Sequence, residues 1–175
     1  MRSGEKSNMY QQICDDIGRF LNEAGQIYAI SSPKGVAKDN RDWYARCMVT
    51  FALINRTLDL GFFVLEIYRY TDPDGPVRYK AMIKRLCDHH LIDNTTRDGM
   101  IALIEQRNRI SHHFHEIGPG ELVGYDEITT IVASFTCAMQ HAYAQHTTRT
   151  MIRRGFLAAG IVSFFVGVLL WFFWA

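Results

Sequence analysis

Little in this sequence is given over to staples or to charge of one sign. Its 175 residues hold four cysteines, Cys14, Cys47, Cys87 and Cys137, which stand 33, 40 and 50 residues apart. That spacing offers no CxxC metal pair and none of the density of a disulfide-bonded secreted scaffold, so reduced, half-buried thiols are expected. Lys and Arg number 19 against 18 for Asp and Glu, a net charge of +1. This excludes an overall basic field that gathers nucleic acid at a distance, and any polyanion must be met locally. The opening stretch, MRSGEKSNMYQQICDDIGRF, lacks a long apolar run, so it does not read as a secretory leader and the bulk of the chain is expected in the cytoplasm. Internal repeats, low-complexity segments and strand-like alternation are also missing, and the length leaves room for one domain and an appendage.

Charge itself is missing from one place. Residues 155–175 read GFLAAGIVSFFVGVLLWFFWA, with 17 apolar side chains, three glycines and Ser163. At about 1.5 Å per residue such a helix covers roughly 30 Å, the thickness of a bilayer hydrocarbon core. The expectation is a single C-terminal transmembrane helix. Arg149, Arg153 and Arg154 precede it and no positive residue follows, which places the N-terminal domain on the cytoplasmic side, with Trp171 and Trp174 at the far interface. Gly155, Ala159, Ser163 and Gly167 recur every fourth position, a small-residue stripe that lets two helices approach closely in lipid. A membrane location, inner membrane in a bacterium, and self-association follow as expectations.

Elsewhere the apolar residues keep helical spacing. Met9, Ile13, Ile17, Phe20, Leu21, Ala24 and Ile27 or Tyr28 make one amphipathic helix ending before Ser31-Ser32-Pro33. A second helix, capped by Asp39 or Asn40, runs past Trp43, Phe51 and Leu58 to the breaker at 71–76, and from Leu58 to Tyr70 it is apolar on nearly every side. A third covers about Val77 to His90. A fourth opens at Asp93–Thr96 and continues through Met100, Leu103, Ile104, Arg107 and Ile110 towards Gly118-Pro119-Gly120. A fifth starts near Asp126 and has no breaker before the apolar tail. The fold class is therefore all-α, an antiparallel bundle of about five helices with short connections. It divides into an N-terminal helix and loop (1–36), a bundle core (37–146) and a juxtamembrane segment with its anchor (147–175).

The chemistry gathers late in the fourth helix. Arg107-Asn108-Arg109-Ile110-Ser111-His112-His113-Phe114-His115-Glu116 holds more polar groups than packing requires. Guanidinium groups match phosphate oxygens, and an imidazole exchanges protons near neutral pH, so the set suits phosphodiester chemistry. On an ideal helix positions 107 and 112 lie about 140° apart, whereas Asn108 and His112 share a face.

These residues resemble the HEPN family of prokaryotic toxin, abortive-infection and CRISPR ribonucleases. Its motif is an Arg, often a polar residue such as Asn, then four to six residues and His, which Arg107, Asn108 and His112 match. The resemblance extends over roughly Asp42 to Glu116 and includes the order of a long central helix, a shorter helix and the motif helix. It implies a HEPN-like bundle and a metal-independent endoribonuclease, without cofactor, whose two motifs face each other in a homodimer. His112 acts as general acid or base, Arg107 holds the phosphate and Asn108 orients one of them, leaving 2′,3′-cyclic phosphate ends. Arg109, His113, His115 and Glu105 are candidate supporting residues. RNA, a second copy of the chain, the membrane and an antitoxin or defence partner are the implied partners. HEPN toxins paired with a nucleotidyltransferase antitoxin carry a tyrosine two residues after the histidine. Phe114 stands there in this sequence, so control by that route is not expected. His113 offers an alternative spacing of five.

Three other readings stand beside this one. The bundle can bind a partner or a nucleotide without cleaving, through Arg107 and Arg109. A metal can be sought at His112, His113 and His115, with His89 or His90, although no carboxylate or cysteine has convincing spacing. The cluster Arg78, Lys80, Lys84 and Arg85 is either a guide for RNA or a solvated helix face.

Overall fold

A computed structural model describes residues 3–31, 40–70, 78–113, 116–118 and 121–174, with side chains for 4–29, 41–70, 78–113, 116–118 and 121–152. Its helices are α1 (Ser3–Ser31), α2 (Asn40–Tyr68), α3 (Tyr79–Asp88), α4 (Asn94–His113) and α5 (Tyr125–Trp174), and no strand occurs among the described residues. The chain is all-α, as its periodicity requires. It forms two compact units, Met1–Gln140 and His141–Ala175.

In the first unit α1 lies antiparallel along α2. Pairs run in opposite order down the two helices: Lys6 with Glu66 at 3.0 Å, Asp16 with Arg56 at 2.6 Å, and Tyr28 with Thr50 at 3.1 Å. The inward face of α1 is Ile13, Ile17 and Ala24, while Met9, expected inside, is exposed. Helix α4 also opposes α2, since Arg107 reaches Asn55 while Ile110, further along α4, packs with the earlier Cys47.

Not every neighbour is antiparallel. Helix α3 runs the same way as α2: Tyr79 at its start meets Phe62 and Arg85 towards its end donates to the Tyr70 carbonyl at 3.0 Å, while Lys80 with Glu105 and Cys87 with Asn94 pair it in antiparallel order with α4, which itself opposes α2. The breaker at 71–76 and the short connections expected from the sequence suggest an antiparallel pair, and the contacts show the opposite. Residues 71–77 themselves lie outside the described residues.

Close approach at the centre depends on glycine. A Cβ on Gly61 would sit 2.7 Å from the Met82 sulfur and 3.0 Å from the Phe135 ring, and one on Gly99 would sit 2.9 Å from Ile131. Around these points Leu58, Leu65, Ile83, Met100, Leu103 and Phe135 are fully buried. Each side chain of this kind stabilises the fold by about 1.5–3 kcal/mol through removal from water. Arg46 is buried as well, with its guanidinium 4.6 Å from the Tyr28 ring, and burial raises the Tyr28 hydroxyl above its ordinary pKa.

Helix ends follow local chemistry. Helices α2 and α3 both stop with a residue at positive φ, Arg69 at 59° and His90 at 56°. The next amide then reaches back five residues, Tyr70 to Leu65 and Leu91 to Leu86, each at 2.9 Å. This is the usual glycine-type helix stop made with larger residues. Helix α4 is described to His113, and residues 116–118 are no longer α-helical, so it has ended before Gly118; Gly120, also expected to end it, lies outside the described residues.

Helix α2 is long and apolar enough to cross a membrane, yet 61% of its apolar window is buried within the protein, which makes it the core helix. The expected span at 155–175 falls within α5 through Trp174, but its side chains, including the stripe Gly155, Ala159, Ser163 and Gly167, lie outside the described ones. Within the second unit Thr150 donates to the His146 carbonyl one turn back at 2.8 Å, as hydroxyls on helices commonly do.

Candidate functional site

Helix α4 is set in place from its first residue. The Asp93 carboxylate accepts the Thr96 amide at 2.7 Å, and that bond holds the carboxyl below its ordinary range. Buried Met100, Leu103, Ile104 and Ile110 then fix the rotation of the helix. Its far end is held by a cluster of Cys47, Ile110 and Ile117, with Trp43, Phe51 and Leu122 packed against it. Buried Gln106 adds a tether by accepting the Val123 amide at 3.0 Å.

That rotation turns Arg107 towards α2 and α3. Its Nε donates to Asn55 Oδ1 at 2.9 Å and its Nη1 to Asn108 Oδ1 at 3.1 Å. The guanidinium carbon lies 5.0 Å from the Phe51 ring centre and 5.2 Å from that of Tyr79. A planar cation between two rings gains quadrupole attraction while its edge keeps donating. Arg107 and Asn108 are half-buried; His112 is exposed, and among the described residues it has no hydrogen-bond partner. Within one chain, then, the arginine stands on the inner edge of α4 and the histidine on its outer face.

The candidate supporting residues are dispersed around the helix. Glu105 pairs with Lys80 of α3 at 2.7 Å, both exposed. Arg109 pairs closely with Glu121, whose other oxygen accepts the Gly118 amide at 3.2 Å. The Gly118 amide first, and Arg109 after it, hold the Glu121 carboxyl below its ordinary range. His113 Nδ1 lies 3.3 Å from Glu116. Phe114 and His115 lie outside the described residues.

Beside Asn108 a groove of about 470 Å³ opens between α2, α3 and α4, lined among the described residues by Phe62, Arg78, Tyr79, Lys80, Ile104 and Asn108. The basic cluster at 78–85 is thereby divided: Arg78 and Lys80 face this groove, Lys84 is exposed, and Arg85 is spent on the Tyr70 carbonyl. His89 stacks on Tyr70 with ring centres 3.6 Å apart, and His90 terminates α3. Among the described residues no three His, Cys, Asp or Glu side chains gather closely enough to hold a metal ion.

Asn55, Phe51, Phe62 and Tyr79 were not legible as site residues. They come from positions 28 to 56 residues upstream of the arginine they surround, or line the groove beside it, and nothing in a helical repeat marks them apart from core. Their one available signal was an asparagine within the largely apolar α2.

No family model and no curated protein matches the chain. Among solved structures it is similar to the cytosolic protein of unknown function YutE from Bacillus subtilis, with 18% identity and a TM-score of 0.54 over 77% of this chain and 91% of that one. At that identity the likeness shows a shared fold.

Proposed function

We propose that the chain is a HEPN-type, metal-independent endoribonuclease acting as a homodimer, an RNA-cleaving effector of a toxin or phage-defence system. The observation that carries this reading is the setting of Arg107. A guanidinium is held half-buried at the end of α4 by Asn55 and two rings, one residue from Asn108 and five from an exposed imidazole. Fixed cations of this kind stabilise charge on a phosphate without reorganising during reaction. In the proposed dimer the outer faces of two α4 helices meet, so that each His112 stands near the other motif. One imidazole removes the proton from the ribose 2′-hydroxyl, whose oxygen attacks the phosphorus. The departing 5′-oxygen takes a proton, and a 2′,3′-cyclic phosphate remains. The apolar segment 155–175 anchors the chain in a membrane with the catalytic unit on the cytoplasmic side, and the small-residue stripe favours pairing there.

A second reading has its own observation. Two of the donors of Arg107 are already engaged, by Asn55 and Asn108, which is also what a structural strut between α4 and α2 requires. On that reading the bundle is a non-catalytic interaction, scaffold or nucleotide-sensing domain. Incubation of the full chain in detergent micelles with total RNA and a chelator separates the two. New 2′,3′-cyclic phosphate ends that vanish in His112→Ala support the nuclease; intact RNA, or cleavage that survives the substitution, overturns it.

A further inference from the structure

The groove next to the motif has a lining of mixed chemistry, some of it also engaged in packing. Its floor is aromatic and aliphatic: Phe62 from α2, Tyr79 from α3 and Ile104 from α4. The two rings meet at 57° with centres 5.8 Å apart, so they form a wedge and do not cover each other. Positive charge borders this floor. Arg78 is exposed and has no ion-pair partner among the described residues, and Lys80 is held only by an exposed pair with Glu105, which a polyanion can displace. Arg78 also starts α3 without a side-chain cap, and among the described residues no side chain caps the first amides of that helix, which lie at the same border. Asn108, one residue from Arg107, joins the groove to the motif. A volume of about 470 Å³ lies within the range of small-ligand sites.

We infer that this groove binds one unpaired nucleotide of the substrate strand next to the cleaved bond. The base lies against Phe62, Tyr79 and Ile104, and its phosphate lies against Arg78, Lys80 and the start of α3. The identity of the strand as substrate rests on the nuclease reading. Stacking on aromatic side chains tolerates any base but requires that the base be unpaired, so the groove selects single-stranded RNA over duplex.

The test uses the full chain in detergent micelles and a labelled, unstructured ten-nucleotide RNA, with binding followed by fluorescence anisotropy in a His112→Ala background so that no cleavage intervenes. Arg78→Glu is expected to weaken binding about ten-fold and Phe62→Leu about five-fold, while Lys84→Glu, away from the groove, changes it less than two-fold. The same RNA held in a duplex binds at least about ten-fold more weakly. With His112 restored, Arg78→Glu raises KM for cleavage. Unchanged binding in both Arg78→Glu and Phe62→Leu overturns the groove assignment, whatever the RNA ends show. Displacement of the RNA by micromolar AMP overturns the strand in favour of a free nucleotide. Loss of binding in the groove variants, in a chain that leaves RNA intact, keeps the groove and removes the nuclease.

Discussion

Arg107 and His112 stand on consecutive turns of α4 in opposite surroundings. The inner edge gives the arginine an asparagine, two rings and a neighbouring amide oxygen; the outer face gives the histidine solvent. The difference separates two kinds of dependence. A residue built into the bundle affects stability and any chemistry together, whereas one that only projects from it affects chemistry alone.

The sharpest way to break that contrast is His112→Ala. On the proposed nuclease reading, cleavage should fall by about 10²–10⁴-fold, as for loss of a general acid or base, with the thermal midpoint essentially unchanged. A substantial drop in melting temperature would show that the outer face is not merely projecting. Arg107→Ala should affect both readouts, removing cleavage and costing about 2–3 kcal/mol in denaturant unfolding through the lost charged hydrogen bond and ring contacts. Asn55→Ala should act in the same direction more weakly, about 1–2 kcal/mol, because it removes one acceptor and leaves the cation in place. If Asn55→Ala lowers activity without lowering stability, the inner edge is chemical and not structural.

Smaller effects concern the carboxylates that frame α4. Asp93 and Glu121 both have folded pKa values below their ordinary range, so what they contribute is fully present above the unfolded carboxylate pKa near about 4 and is lost as pH falls through the folded values. Stability should therefore stay level from neutral pH to about 5 and decline below it, and Asp93→Asn should flatten that decline in acid titration followed by circular dichroism. The thiols offer the mildest test of the same inside-and-outside distinction. Burial pushes Cys47 up to about 11, whereas Cys137 is exposed. A thiol reagent at pH 8 should label Cys137 rapidly and Cys47 only after unfolding.

Several parts of the molecule were legible before any coordinates. The course of α2 follows from its helical spacing and the start of α4 from its capping residues, and Asp93 caps as its residue type allows; the expected cap of α2 at Asp39 or Asn40 and the breaker at 71–76 lie outside the described side chains. The outward position of His112 relative to Arg107 follows from helical geometry alone. Other parts were not. Met9 fits the apolar period of α1 yet faces solvent, because α2 covers only a narrow stripe of that helix. The end of α3 at His90 carries no glycine to announce it. The parallel run of α2 and α3 depends on which residues meet, Tyr79 with Phe62 and Arg85 with Tyr70, which no periodicity records.

Two apolar stretches mark the division most clearly. The sequence reading made 155–175 the candidate to cross a bilayer and α2 the covered central helix; α2 is also long and apolar enough to cross, and its burial within the protein keeps it in the core. The sequence determined the helical class, the helix order and a cluster of phosphate-matching groups late in α4, because these depend on local spacing and residue chemistry. Only the tertiary structure decided that Asn55, Phe51 and Tyr79 hold Arg107 and that Phe62 and Arg78 share a groove with Asn108. Those contacts join residues far apart in the chain, and nothing local encodes which helix faces will meet.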